Sequence, residues 1–236
     1  MLKSWVWTAC RVMGRTGDGK TSFINCAAGS NLTVGHGLES ATIEIQTAQM
    51  RFGEDDIILI DTPGFDDTTR SQAEILKLIA EFLARMFDEN KLLDGVLYLH
   101  DITVNRMNGA PIKSYKLFRQ LCGNKAMTHV IIVTTMWDAV SLENGERRMQ
   151  ELRDDYFDDA LRHGVGVMRH YNTKQSADTI IAEVLNRSAN LAPDALKIQR
   201  EMVIDQKVIA ATSAGQELLD QLDQATVKAT NSVSRL

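Results

Sequence analysis

The feature that most constrains this chain is the eight-residue run Gly14-Arg15-Thr16-Gly17-Asp18-Gly19-Lys20-Thr21, which matches GxxxxGK[ST] in full. It follows the apolar stretch Val6–Met13 and precedes a helix-like segment, Ser22–Ala28, the strand–loop–helix setting that the pattern requires. Each part of the pattern has a chemical reason. Glycines let backbone N–H groups turn inward around phosphate oxygens, and the helix start adds a favourable partial charge. The Lys20 ammonium reaches the β- and γ-phosphates of a nucleotide, and the Thr21 hydroxyl suits Mg²⁺, which keeps several of its waters. The eight residues and the following Ser22 form the candidate phosphate-binding set.

The rest of the chain alternates between strand and helix patterns. Thr42–Phe52 alternates as a half-exposed strand, with Ile43 and Ile45 on one face. Gly53 and the acids after it make a turn, and Ile57–Ile60 is a buried strand. Helical spacing of Ile75, Leu78, Ile79, Phe82, Leu83 and Met86 predicts a helix over Ser71–Phe87. Further strands are predicted at Gly95–Leu99, Val130–Thr134 and Val165–Val167, with helices at Pro111–Cys122, Leu142–Arg162 and Ser176–Arg187. This order implies a three-layer α/β/α fold around a mostly parallel sheet, with one antiparallel edge strand from the early hairpin. After Pro193 the pattern changes to an amphipathic helix over Asp194–Ala211. A second helix is expected to open at a Ser213-Ala214-Gly215-Gln216 capping box. Residues 1–190 are read as the nucleotide-binding domain and 191–236 as a C-terminal helical tail, either packed on the domain's own surface or serving as a partner or self-association helix.

A second motif, Asp61-Thr62-Pro63-Gly64, ends the buried strand Ile57–Ile60. An acid at the C-terminal end of such a strand lies beside the phosphate loop, so Asp61 is placed to hold Mg²⁺ through a water. Gly64, having no side chain, can bring its N–H close to a γ-phosphate and start a switch segment that responds to it.

Composition narrows the partners. The chain has 236 residues, with 26 Lys+Arg against 31 Asp+Glu, a net charge of −5 that argues against a main role in holding nucleic acid. Three cysteines, Cys10, Cys26 and Cys122, are odd in number and form no CxxC pair. They read as reduced thiols of a cytoplasmic protein rather than a disulfide or zinc framework. No apolar run is long enough to span a membrane, and the N-terminal segment, interrupted by Lys3 and Arg11, does not read as a signal peptide.

The sequences GRTGDGKTSFIN, LESATIEIQ, DTPGFDD and VTTMWD together resemble the septin-like branch of P-loop GTPases. That branch includes the immunity-associated GTPases and the chloroplast import-receptor GTPases. The chain most resembles the fungal G-domain-containing proteins, which pair such a domain with a helical tail that Ile198–Leu219 echoes. The resemblance implies a G domain binding GTP or GDP with Mg²⁺. It also implies a switch threonine at Thr42 that ligates Mg²⁺ and senses the γ-phosphate, with Thr33 as the alternative position. The base-reading loop is then Thr135-Met136-Trp137-Asp138. A buried Asp138 would accept hydrogen bonds from guanine N1–H and the exocyclic amine, which adenine cannot donate. Met136 stands where the family carries lysine, and its flexible stem can still cover the base. Asn172 corresponds to the last guanine-contacting loop, with a helix N-cap or turn role as its alternative.

For hydrolysis, the place of the usual water-orienting glutamine after the DxxG glycine is taken by Phe65, which predicts slow turnover. Asp66 and Asp67 follow as switch acids. The import-receptor GTPases carry an arginine in the loop after the strand that corresponds to Gly95–Leu99, and it crosses a dimer interface. Arg106 matches it, which makes the candidate catalytic set Thr42, Gly64 and Arg106 and suggests a GTP-dependent homodimer. A surface ion pair is the alternative role for Arg106. The function expected is slow GTP hydrolysis serving a switch or an assembly. The rivals are a non-hydrolysing GTP/GDP-binding scaffold and an ATP-using kinase.

Overall fold

A computed structural model describes residues 8–32, 45–67, 69–192 and 194–233. Its elements run β1 (Thr8–Gly14), α1 (Lys20–Ala28), β2 (Gln46–Phe52), β3 (Asp55–Asp61), α2 (Gln72–Asp88), β4 (Gly95–Asp101), α3 (Ala110–Cys122) and β5 (Val130–Thr135). They continue with α4 (Leu142–Glu151), α5 (Asp158–Arg162), β6 (Gly166–Arg169), α6 (Lys174–Asn190), α7 (Lys197–Gln199) and α8 (Ser213–Val233). The strands form one six-stranded sheet in the order β2-β3-β1-β4-β5-β6. Only the β2–β3 pair is antiparallel, so the hairpin supplies the one antiparallel edge strand.

Alternation along the strands sorts side chains to two cores. On one face Cys10, Val12, Leu59, Leu97, Ile131 and Val133 pack under α1 and α6. On the other, Ala9, Met13, Ile60, Tyr98 and Ile132 pack under α2, α3 and the α4–α5 segment. Leu196 and Ile198, with Ala214 and Leu218 of α8, join this second core. The Gln199 side chain donates to the Leu83 carbonyl at 2.9 Å. The C-terminal helices thus pack against α2 and α3.

Three local expectations are corrected. The helix predicted over Leu142–Arg162 is interrupted by a π-helical turn at Leu152–Tyr156, where Phe157 N–H donates to the Leu152 carbonyl at 2.7 Å. The extra residue in that turn brings both Leu152 and Phe157 into the core. The helix predicted over Asp194–Ala211 is likewise broken. Α7 passes into a π-helical turn at Arg200–Ile204, and the chain then folds back around the buried Glu201 carboxylate. That carboxylate accepts from Lys207 Nζ at 3.1 Å and from the Ser213 N–H at 3.0 Å. Because Ser213 is engaged there, Thr212 caps α8 instead, its hydroxyl accepting from the Gly215 N–H at 3.1 Å. No helix among the described residues is long and apolar enough to cross a membrane.

Candidate functional site: a phosphate loop at the strand ends

The parallel register fixes the site. Val12 of β1 stands level with Asp61 of β3, and Gly14 stands level with Leu99 of β4, so the loop after β1 emerges among the C-terminal ends of its neighbours. Gly17 and Gly19 take positive φ values of 87° and 85°, which only glycine adopts at little cost. The space where a Gly17 side chain would stand is open, leaving a concave backbone surface. Α1 starts without a side-chain cap, so its first-turn amides face this concavity unoccupied by the chain's own side chains.

Lys20 is nearly buried, and its Nζ donates to the Arg15 carbonyl at 2.6 Å, which stretches the side chain back over the loop. Burial lowers its pKa, while Asp18, Asp61, Asp66 and Asp67 pull the other way. The Thr21 hydroxyl donates to Asp61 Oδ2 at 2.6 Å, joining the two motifs 40 residues apart. These two hard oxygen donors, one hydroxyl and one carboxylate, suit a Mg²⁺ that shares the rest of its shell with phosphates and water. The Thr16 hydroxyl, next to Gly64, is buried with no hydrogen-bond partner among the described residues. The open Gly17 concavity and this orphaned hydroxyl both fit an anionic phosphate group. Ser22 follows on the first turn of α1.

The two motifs are also pressed together. A Cβ on Gly64 would stand 2.2 Å from the Thr16 nitrogen and 2.3 Å from its hydroxyl, so the close approach needs glycine. Asp66, one of the two switch acids, spans the junction. It accepts from the Thr16 N–H at 2.7 Å and from Arg15 Nε at 3.1 Å. Asp67 instead accepts from the Thr69 N–H at 2.7 Å and shapes the turn into α2. Phe65 is buried in the core.

Asp18 braces the loop from behind. Its carboxylate accepts from the Arg15 N–H at 2.8 Å and is almost fully buried. Burial raises its pKa to about 6, against the lowering pull of Lys20 and Arg15. The native chain therefore holds this proton between pH ~4 and ~6 where the unfolded chain has released it, and stability falls as pH rises through that window. Asp18→Asn keeps an oxygen acceptor but has no charge. We expect the pH 4.5-to-7 loss of unfolding free energy, measured with urea, to shrink by about 2 kcal/mol in the variant. An unchanged difference would show that this carboxylate does not titrate in that window.

The segment Thr135–Asp138 lies against the same loop. Thr135 Oγ1 donates to the Asp18 carbonyl at 3.0 Å, tying the end of β5 to the phosphate loop. Met136 adopts a positive φ of 58°, and its Cε lies 3.6 Å from the Cβ position of Gly19. Its side chain thus packs against the phosphate loop. Asp138 follows on a 3₁₀ turn and is exposed rather than buried. Asn172 also has a positive φ, 55°, and is exposed; the N-cap of α6 is Thr173, so Asn172 does not serve as that cap. Arg106 is exposed on the loop after β4, which Arg148 of α4 holds through the Ile102 and Thr103 carbonyls at 3.0 and 2.9 Å. Thr42 and Thr33 lie outside the described residues.

A parallel sheet with this loop at its strand ends, paired with an acid at the end of the neighbouring strand, defines the P-loop nucleotide-binding class. Residues 9–136 match the family model described as 50S ribosome-binding GTPase, and the chain belongs to this family of P-loop GTPases. The chain is 30% identical over 124 residues to GTPase Era of Campylobacter hominis, a match spanning 52% of this chain and 38% of that relative's length. Among solved structures, Toc33 from Arabidopsis thaliana in complex with Mg²⁺ and GMPPNP has a TM-score of 0.62 at 19% identity, covering 79% of this chain and 86% of that one. Era in complex with MgGDPNP and a 16S ribosomal RNA fragment has a TM-score of 0.57 at 15% identity, covering 75% and 56%. At these identities the structural likeness is one of fold.

Proposed function

We propose that the protein binds GTP with Mg²⁺ and hydrolyses it slowly to GDP, as a switch or an assembly-regulated GTPase. The observation that carries this reading is the contact between Gly64 and Thr16, bridged by Asp66, which couples the switch segment directly to the phosphate loop. Lys20 holds the β- and γ-phosphates, and Thr21 and Asp61, with Thr42, hold the metal. Bound Mg²⁺ neutralises charge on the phosphates. Gly64 offers its N–H to the γ-phosphate, so the presence of that phosphate is felt by Phe65, Asp66 and the start of α2. With Phe65 turned into the core, no side chain follows Gly64 to orient water, which supports slow turnover. The same observation favours the non-hydrolysing scaffold as the second reading.

Asp138 reads guanine, with Thr135 anchoring its loop and Asn172 flanking the base. Asp138→Asn should move preference from GTP towards XTP, since the amide donates to the xanthine oxygen that replaces the amine. Competition titration with the two nucleotides measures this, and an unchanged preference would place base reading elsewhere.

We further place the chain in the septin-like branch, near the fungal G-domain proteins, with Arg106 acting across a homodimer. Toc33 was solved as a dimerization-deficient mutant, and dimerization is important for the GTPase activity of atToc33 and psToc159. An arginine supplied to the γ-phosphate of a neighbouring site contributes about a thousandfold where it meets transition-state charge. Turnover per molecule should therefore rise with protein concentration, and Arg106→Ala should flatten the rise while leaving GTP affinity unchanged. Turnover independent of concentration would remove Arg106 from catalysis, and no turnover at any concentration would favour the scaffold.

A further inference from the structure

We propose that the cavity between α3 and α7, at the sheet edge opposite the phosphate loop, binds a compact polyphosphorylated small molecule. Α3 runs back from the nucleotide edge after β4, so its C-terminal end and the 3₁₀ turn Lys125–His129 lie at the opposite edge, where β5 begins. Α7 closes over this end tightly enough that a Cβ on Gly123 would stand 2.6 Å from Lys197 Cβ. The cavity left between them measures about 640 Å³, within the usual ~300–1,000 Å³ of small-molecule sites.

Its charge is unlike that of the chain as a whole. Lys116, Arg119, Lys125, Lys197 and Arg200 all line it, in a protein of net charge −5. Two carboxylates answer them: Asp159 pairs with Arg119, and Asp194 pairs with Arg200. Five cations against two carboxylates leave three positive charges uncompensated. Lys116 and Lys125 have no ion-pair partner among the described residues, and Lys197 Nζ meets only the neutral Gln120 amide, at 3.4 Å.

A second, independent observation lies beneath the floor. Cys122 lines the cavity, and near it, on β1, Arg11 is wholly buried with no hydrogen-bond partner among the described residues on any of its three guanidinium nitrogens. Among the described residues its ring contact is Phe82, 5.5 Å away. Burial pushes the Cys122 thiol up to about 12, so it is neutral and leaves the guanidinium charge unanswered. A buried charge is screened far less than a surface one, and this one stands close enough to Cys122 to act on its thiol. Arg119 Nη1 and Tyr115 Oη also lack partners at this floor.

Clustered lysines and arginines around a concavity suit phosphate groups, and several uncompensated charges around one cavity suit a ligand carrying several of them. A single-stranded nucleic acid would need an extended basic groove with exposed stacking rings. Among the described residues, the only aromatic one lining this cavity, Tyr115, is buried.

The test is calorimetric titration of myo-inositol hexakisphosphate into the full-length chain with Mg·GDP in excess, which keeps the phosphate loop out of the measurement. Saturable one-to-one binding is expected, weakened at least tenfold by the Lys116→Glu/Lys125→Glu double variant. Lys77→Glu, on the exposed side of α2, should change it less than twofold. Both variants should keep the wild-type circular dichroism spectrum, and Lys125→Gln alone, which leaves the fold's charge pairs intact, should weaken binding by about threefold. Absence of binding, or binding that the double variant leaves intact, would overturn the proposal. So would tighter binding of a short RNA or an acidic peptide that the same double variant abolishes.

Discussion

Lys20→Ala is expected to lower the affinity for GTP and GDP by roughly a hundredfold or more, with the fold intact. The ammonium is held over the loop by one 2.6 Å bond to the Arg15 carbonyl, which leaves its other two protons for phosphate oxygens. Hydrogen bonds to charged groups contribute about 1.5–3 kcal/mol each, so losing two removes at least 3 kcal/mol, about two powers of ten in Kd. The cation is also hemmed in by Asp18, Asp61 and Asp66, so without it the triphosphate would face carboxylates with no counter-charge. Fluorescent-nucleotide titration would show the loss. Wild-type affinity in the variant would mean that the nucleotide binds elsewhere.

Gly64→Ala should separate hydrolysis from binding. The new methyl would have to stand about 2.2 Å from the Thr16 nitrogen, nearer than any real contact, so the Gly64 segment must lift away from the phosphate loop. Asp66 would lose its bond to the Thr16 N–H in the same movement. GDP, which lacks the γ-phosphate, should bind within about threefold of wild type. GTP turnover should fall about a hundredfold, the usual order for losing one preorganised donor at developing charge. Single-turnover phosphate release with paired GDP titrations distinguishes the outcomes. Equal losses for GDP binding and turnover would show that Gly64 serves the loop's integrity and not the γ-phosphate.

The parts of this site that could be read from sequence are those written locally. The phosphate loop is contiguous, and its strand and helix flanks carry clear periodicity, so its position followed from residues 6–28. Asp61 followed from the buried strand that ends on it. The bond from Asp66 to the Thr16 N–H spans 50 residues and depends on how two loops meet, which no spacing rule encodes. The Thr135 bridge to Asp18 spans 117 residues and was hidden for the same reason. Both π-helical turns escaped because one added residue leaves a 3.6-residue pattern nearly intact on either side of it. Arg11 looked like a charge interrupting an apolar strand; its complete burial depends on α2 and α3 closing over it.

The central claim is that this loop binds guanine nucleotide with Mg²⁺ and turns it over. The most direct measurement is phosphate release by the purified chain given GTP or ATP in equal amounts, with Mg²⁺ and then with the metal chelated. Slow release from GTP, little from ATP, and loss of the GTP signal on chelation are expected. Release from ATP as fast as from GTP, or GTP turnover that survives removal of Mg²⁺, would contradict the claim.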